Sequence, residues 1–449
     1  MNFLRKFAFL FLVLLFVATG FAPAIRAQET NVSDLSKQAA LISEFEINGL
    51  KVLVKRRTAS PTVAAGLFLR GGARNLTKEN AGIESLMLSA ATEASRKYPR
   101  QALRRELART GAQIASGANY DYSALSMIST RQDFDRAWDV FTDVALNPTF
   151  AAADVERIKQ QVLTGLRDRN SDADNYLGEL TEQAVYADHP YSNDTSGTIE
   201  TVTKFTAQDL RAFHQNAMQT SKLLLVIAGD VDAETLKPKI AATFGKLPRG
   251  SYTEKPLPAL VFDKPKVEIT ERSLPTNYVQ GTFAAPSPAE PDIYAMRVAT
   301  TILRERIFEE VRGRRNLSYA PSASIDNRAA NTAGIYVTSV DPNQSVAVMI
   351  DEIKRLQTEL VNDYTINGVI GQYLTSYYTG QETNAAQAAD LAAHELIGGG
   401  WRNALLVLDK TRQVKPEDVR RVAQKYMKNI NFVVLGNPNS INRDVFTKF

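Results

Sequence analysis

The chain is one long unit written twice, and a duplication of that size constrains the fold more tightly than any single motif. Residues 205–229 read FTAQDLRAFHQNAMQTSKLLLVIAG, and residues 414–436 read VKPEDVRRVAQKYMKNINFVVLG. Each passes from a polar cap through Asp, an apolar residue and Arg into a helical stretch, a methionine, and an apolar strand ending in glycine. Asp209 answers Asp418 and Met218 answers Met427 at the same offset. Upstream, ADVERIKQQVL (153–163) and TINGVIGQYL (365–374) each open a long amphipathic helix after a turn. A period of about 200 residues marks a duplicated domain, since solenoid repeats run roughly 20–50 residues. A chain of 449 residues has room for two such cores.

The joint falls in GKLPRGSYTEKPLPALVFDKPK (245–266), whose proline, glycine and lysine content is that of a linker. VEIT then opens the second half as a strand, much as FEINGLKVLVKRR (45–57) opens the first. SALSMIST (123–130) and AGIYVTSV (333–340) read as equivalent half-buried strands. Each half reads as strands and a helix, further strands, two or three helices and a last strand. That is an α+β pattern, with helices packed on one face of a mostly antiparallel sheet. The expected layout is a signal segment (1–27), an N-terminal extension (28–44), a first domain (45–246), a linker (247–266) and a second domain (267–449).

The segment FLRGGARNLTKENAGIESLMLS (68–89) carries the most specific chemistry. An apolar strand ends in Gly71-Gly72, and Ala81-Gly82-Ile83 opens a helix. This resembles the zinc-site entry of pitrilysin-type, insulinase-like (M16) metallopeptidases, whose helix carries H-x-x-E-H. The positions answering His, Glu and His hold Ser85, Leu88 and Ser89. A serine hydroxyl is a poor zinc ligand at neutral pH, and leucine cannot act as a base. A catalytic zinc usually takes three nitrogen, thiolate or carboxylate ligands from protein. The downstream glutamate that completes the zinc shell in active relatives is also missing, with Val162-Leu163-Thr164-Gly165 in its place. Glu156 lies more than a turn earlier.

The ligand inventory agrees. The chain has no cysteine and three histidines, His189, His214 and His394, none within a helical turn of another. His394 reads as a helical histidine near a glycine-rich helix end, and His189 as a loop residue before proline. The expectation is no metal in this chain. A self-sufficient hydrolase built on Ser85 or Ser89 has no G-x-S-x-G elbow and no histidine close in sequence to support it.

The second half keeps a different motif. Arg312-Gly313-Arg314-Arg315-Asn316-Leu317-Ser318-Tyr319 resembles the C-domain motif of the same family, an Arg followed by a Tyr, which binds substrate near the scissile bond. The resemblance makes Arg312 and Tyr319 the expected substrate-binding pair. Asn316 stands where a glycine is usual, and Asn tolerates the left-handed conformation that the turn requires. The alternative is structural: Arg312 capping its helix or pairing with Glu309 or Glu310, and Tyr319 an ordinary strand aromatic. The strand after Gly117, in ANYDYSALSM, matches the edge strand that active relatives pair with extended peptide. Gly398-Gly399-Gly400 reads as a helix-ending turn, with a substrate-guiding loop as the rival.

At the N-terminus, Arg5 and Lys6 precede an apolar run, Phe7 to Ala18, and then APAIRA. This reads as a secretory signal cut after Ala27, with Ala24 as an alternative and an uncleaved anchor as the rival. Absence of cysteine leaves no lipid attachment site. A secreted, periplasmic protein without a stable membrane anchor is expected. Cleavage removes three bases and no acid from 53 basic and 49 acidic residues, leaving a near-neutral chain with no electrostatic case for nucleic acid.

The resemblance covers essentially the whole mature chain and implies two homologous M16/LuxS-like domains. It further implies a catalytically incomplete subunit, paired with an H-x-x-E-H subunit that carries the zinc. This chain would lend Arg312 and Tyr319 to the binding of extended peptide. The alternative is a non-catalytic peptide-binding or scaffold protein, homodimeric in one form.

Overall fold

The computed structural model describes residues 35–448. The segment read as a signal and residues 28–34 of the extension lie outside the described residues. Among the described residues, no helix is long and apolar enough to cross a membrane.

The first half builds a six-stranded sheet from β1 (Ile42–Ile47), β2 (Leu50–Arg56), β3 (Thr62–Arg70), β4 (Gln113–Ala118), β5 (Tyr122–Thr130) and β6 (Leu223–Gly229), in the order β1-β2-β6-β3-β5-β4. The second half builds a five-stranded sheet from β7 (Lys266–Glu271), β8 (Asn277–Ala284), β9 (Ser322–Ile325), β10 (Thr332–Ser339) and β11 (Asn431–Gly436), in the order β7-β11-β8-β10-β9. Apart from the extra β1, the two orders superpose strand for strand. The pairing senses match too: β2 runs parallel to β6 as β7 does to β11, and the other pairs are antiparallel. The duplication read in the sequence is therefore a duplication of topology.

Each sheet rests one face on helices of its own half. Leu223, Leu225 and Ile227 of β6 join Leu125 and Met127 of β5 in the first core. Phe432 and Val434 of β11 join Phe283, Met296 and Met349 in the second. The opposite faces are covered by an exchange. Helix Asn384–Ile397, from the second half, lies across β3 and β6, where Leu391 and Ala392 meet Phe68, Leu224, Val226 and Ala228. Helix Ala173–Val185, from the first half, lies across β8 and β11, where Leu177 meets Val433 and Leu435. This cover explains why LLLVIAG and NFVVLG are buried at every position: a central strand buried on both faces has no polar side to alternate with.

Polar contacts fasten the same seam. Arg328 donates two hydrogen bonds to Glu182, at 2.7 and 2.8 Å, and lies over the Tyr120 ring at 4.4 Å. Asp121 is buried; it accepts from the Tyr191 hydroxyl and from the Ala329 N–H at 3.1 Å, with Arg74 at 3.5 Å.

One expectation needs correcting. The segment ANYDYSALSM runs through the β4–β5 hairpin, and β5 is an inner strand, paired with β3 on one side and β4 on the other. The free edge belongs to β4, Gln113–Ala118. The resemblance assigns the edge by motif, whereas strand neighbours are set by tertiary pairing, which here places β5 inside and β4 outside.

Candidate functional site

The glycines at the entry to the degenerate helix are there for geometric reasons. After β3, Gly72 has φ 46°, and a Cβ on it would lie 2.5 Å from the Tyr120 carbonyl oxygen. Gly82 has φ 90° and caps helix Ile83–Ala91; a Cβ there would lie 2.6 Å from the Gly197 Cα. Only glycine fits both the left-handed conformation and the close approach. The turn and the helix start that the motif's glycines serve are therefore formed in this chain.

Its chemistry is not. Ser85 and Ser89 sit half-buried, one helical turn apart, while Leu88 is turned into the first core at 1% exposure. On helix Ala152–Arg169, Leu163 is core, the Thr164 hydroxyl donates to the Gln160 carbonyl at 2.9 Å, and Glu156 faces outward to Lys159 at 2.9 Å. Lys159 and Gln160 hold the Glu156 carboxyl below its usual range. Among the described residues no group of three or more His, Cys, Asp or Glu side chains is placed to hold a metal ion. Two hydroxyls and a leucine do not fit zinc.

The histidines are spread through the fold. His189 accepts from the Tyr191 N–H at 3.1 Å, His214 meets the Ala145 carbonyl at 2.8 Å, and His394 meets the Asp390 carbonyl at 2.9 Å. Burial pushes the His189 and His214 imidazoles toward the neutral form. Gly398-Gly399-Gly400 closes helix Asn384–Ile397: the N–H groups of Gly398 and Gly400 both donate to the His394 carbonyl.

Sequence reading missed Glu84, which precedes the first degenerate position. It is 2% exposed, and its carboxylate lies 3.5 Å from the Lys222 ammonium, itself beside the Phe213 and Tyr252 rings. Burial pushes the Glu84 pKa up, while Lys222 and the Ser123 hydroxyl oppose. An acid inside an otherwise apolar helix stretch was the available signal.

Arg312 and Tyr319 come together. Helix Ile293–Ile307 runs into a π-wound turn, Phe308–Arg314, a device frequent at functional sites. Asn316 then takes φ 53°, and the Leu317 N–H closes the turn on the Val311 carbonyl at 2.8 Å. Asn316 thus occupies the left-handed conformation expected of it. Val311 is fully buried and Leu317 packs on the second core, which anchors both ends of the loop. Tyr319 projects from this anchor at 78% exposure. The Arg312 guanidinium carbon lies 4.0 Å from the centre of the Tyr319 ring and 4.9 Å from that of Phe308. Glu309 and Glu310 are taken by Arg314 and Arg315. The ion pairs expected under the structural alternative therefore go to the neighbouring arginines, and among the described residues Arg312 has aromatic company and no hydrogen-bond or ion-pair partner.

Near β4, the outer sheet face and the start of helix Asn384–Ile397 enclose a trough of about 400 Å³, lined by Gly66, Phe68, Gly117, Tyr122, Ala124 and Ala388.

Comparison with known proteins places the chain in a family. Residues 51–199 match the family model described as Insulinase (Peptidase family M16), and residues 204–373 match the one described as Peptidase M16 inactive domain. The chain belongs to peptidase family M16. An uncharacterized zinc protease of Mycobacterium leprae is 22% identical over 399 residues, covering 86% of this chain and 90% of that protein. Human cytochrome b-c1 complex subunit 1 is 22% identical over 284 residues, covering 63% and 59%. The crystal structure of a peptidase M16 inactive domain from Pseudomonas fluorescens superposes with a TM-score of 0.81 at 19% identity, over 88% of this M16 chain and 98% of that one. That likeness is one of fold.

Proposed function

We propose that this M16 chain is the zinc-free subunit of a two-chain periplasmic peptidase. It lends Arg312 and Tyr319 to an active site whose metal and base belong to a partner carrying H-x-x-E-H. The observation that carries the reading is the contrast between the halves. The helix that opens at left-handed Gly82 holds Ser85, Leu88 and Ser89, while Arg312 stands against an exposed Tyr319 and makes no ion pair among the described residues.

The chemistry assigned to this chain is binding and orientation. A guanidinium offers several donors in one plane, and the Tyr319 hydroxyl offers another; both suit the carbonyl oxygen of an extended peptide, whose charge grows as the carbonyl is attacked. The free edge of β4 supports the extended form of the substrate, since an added strand is held through backbone bonds and tolerates many sequences.

The test starts from the tagged mature chain recovered from its native periplasm under mild conditions, with companions identified by mass spectrometry. A stoichiometric companion of similar size with H-x-x-E-H is expected, with peptidase activity in the pair and none in the chain alone. Chelator-sensitive peptidase activity in the pure chain, unaffected by Arg312→Ala, would contradict it.

A second reading, a non-catalytic peptide-binding or scaffold protein in homodimeric form, draws on the similarity to a cytochrome b-c1 complex subunit. Recovery of the chain with itself alone favours it.

A further inference from the structure

We infer that Phe308 is a positioning residue for Arg312, holding the guanidinium beside Tyr319 where substrate meets it; the inference rests on the reading of Arg312 and Tyr319 as the peptide-binding pair. Phe308 opens the π-wound turn and stays 45% exposed, outside the second core that receives Ile307 and Val311 on either side of it. Nearly half of the residue's surface stays open to solvent, so burial in the second core does not account for its position. Its ring centre lies 4.9 Å from the Arg312 guanidinium carbon, within cation–π range, and Tyr319 supplies a second ring at 4.0 Å.

No ion pair or hydrogen bond among the described residues orients Arg312. Glu310 takes Arg314 at 2.7 Å and also Arg315, and Glu309 takes Arg314 at 3.3 Å. Those pairs occupy the adjacent carboxylates, and Arg312, itself half-buried, makes no ion pair or hydrogen bond among the described residues while its guanidinium lies against the two rings. An aromatic hold differs from a carboxylate hold in one functional respect: it fixes the guanidinium and leaves its N–H donors free for a carbonyl oxygen. A salt bridge in the same place would occupy the donors that substrate needs.

The test uses the reconstituted pair and a quenched-fluorescent unstructured peptide. Phe308→Leu, which keeps bulk and removes the π face, is expected to lower kcat/KM per titrated active site about two- to five-fold, in the same direction as Arg312→Ala. Phe308→Tyr is expected to restore the wild-type value, and Phe308→Leu is expected to add nothing on top of Arg312→Ala. A merely structural Phe308 would lower the active fraction with kcat/KM per active site unchanged, or add to the Arg312→Ala defect, and either result overturns the inference. A second readout needs no partner. In the arginine-labelled chain alone, the Arg312 side-chain protons are expected upfield from ring currents, and Phe308→Leu should remove part of that shift. If Arg312→Ala leaves peptide turnover intact, the reading of the pair fails. The ring-current shift then decides Phe308 alone: its loss in Phe308→Leu upholds the positioning, and an unchanged shift overturns it.

Discussion

The guanidinium carbon of Arg312 stands 4.0 Å from the centre of the Tyr319 ring, in a chain whose zinc-helix positions are Ser85, Leu88 and Ser89. The ring and the hydroxyl of Tyr319 do separable things in this contact. The ring faces the cation, and under the proposed function the hydroxyl is the part that meets the peptide. Tyr319→Phe keeps the first and deletes the second. Loss of one aimed donor costs on the order of 10²-fold in turnover where the donor meets developing charge. Tyr319→Phe should therefore lower kcat of the assembled pair by about 10- to 100-fold, while leaving co-purification with the partner unchanged. Arg312→Ala should be at least as damaging. Full activity in both variants would make the contact structural.

The zinc helix makes a prediction in the opposite direction. Purified chain dialysed against zinc and then buffer should retain no stoichiometric metal by elemental analysis, because hydroxyls and a leucine offer zinc no ligand field. Writing the motif back does not rescue the site. Leu88 is 1% exposed within the first core, so Leu88→Glu buries a carboxylate among aliphatic side chains. It should cost about 2–5 kcal/mol in urea unfolding. A triple variant that folds with wild-type stability and takes up one zinc would refute this account of the helix.

Which of these features could be read from residues alone depends on how local their cause is. The helix start at Gly82 and the turn at Asn316 were legible because left-handed backbone selects for glycine and asparagine. The duplication was legible because matching caps, methionines and strands recur at one offset. The helix exchange was not, since the amphipathic pattern of Asn384–Ile397 says that a face is apolar without saying which sheet covers it. Its trace lay elsewhere, in the uninterrupted apolar runs of β6 and β11. Strand neighbours are likewise non-local, so no residue pattern in 118–127 says that β4 and not β5 forms the edge. Glu84 and Lys222 are distant in the chain, and only the fold makes them partners.

The exchange itself is testable by cavity formation. Leu391, at 1% exposure, fills the space between helix Asn384–Ile397 and β3–β6; Leu177, at 2%, does the same over β11. Truncating a buried leucine to alanine costs about 2–5 kcal/mol when the surroundings relax only partly. Leu391→Ala and Leu177→Ala should each lower the urea midpoint by a comparable amount, although each helix belongs in sequence to the other half of the chain. A cost below about 1 kcal/mol for either variant would mean that its helix rests on the sheet without supporting it.

Acid should loosen the same seam through Glu44. Its carboxylate accepts from Lys51 at 2.8 Å, from the Trp401 indole N–H at 3.0 Å and from Arg402 at 3.1 Å, and Lys51 also reaches Glu395 at 2.6 Å. The hydrogen bond from Lys51, then that from Trp401, pulls the Glu44 pKa down from 4.5 to about 2. A carboxylate whose folded pKa is depressed binds fewer protons folded than unfolded. Its contribution is therefore complete above the unfolded value and is lost as pH falls through the folded one. Thermal stability should decline between pH 4.5 and about 2 with Glu44 as one contributor. Glu44→Gln, which cannot titrate, should be less stable than the parent at pH 6 and should show a shallower fall over that window. Parallel melting-temperature curves for parent and variant from pH 6 down to 2.5 would show that Glu44 gains nothing from Lys51, Trp401 and Arg402.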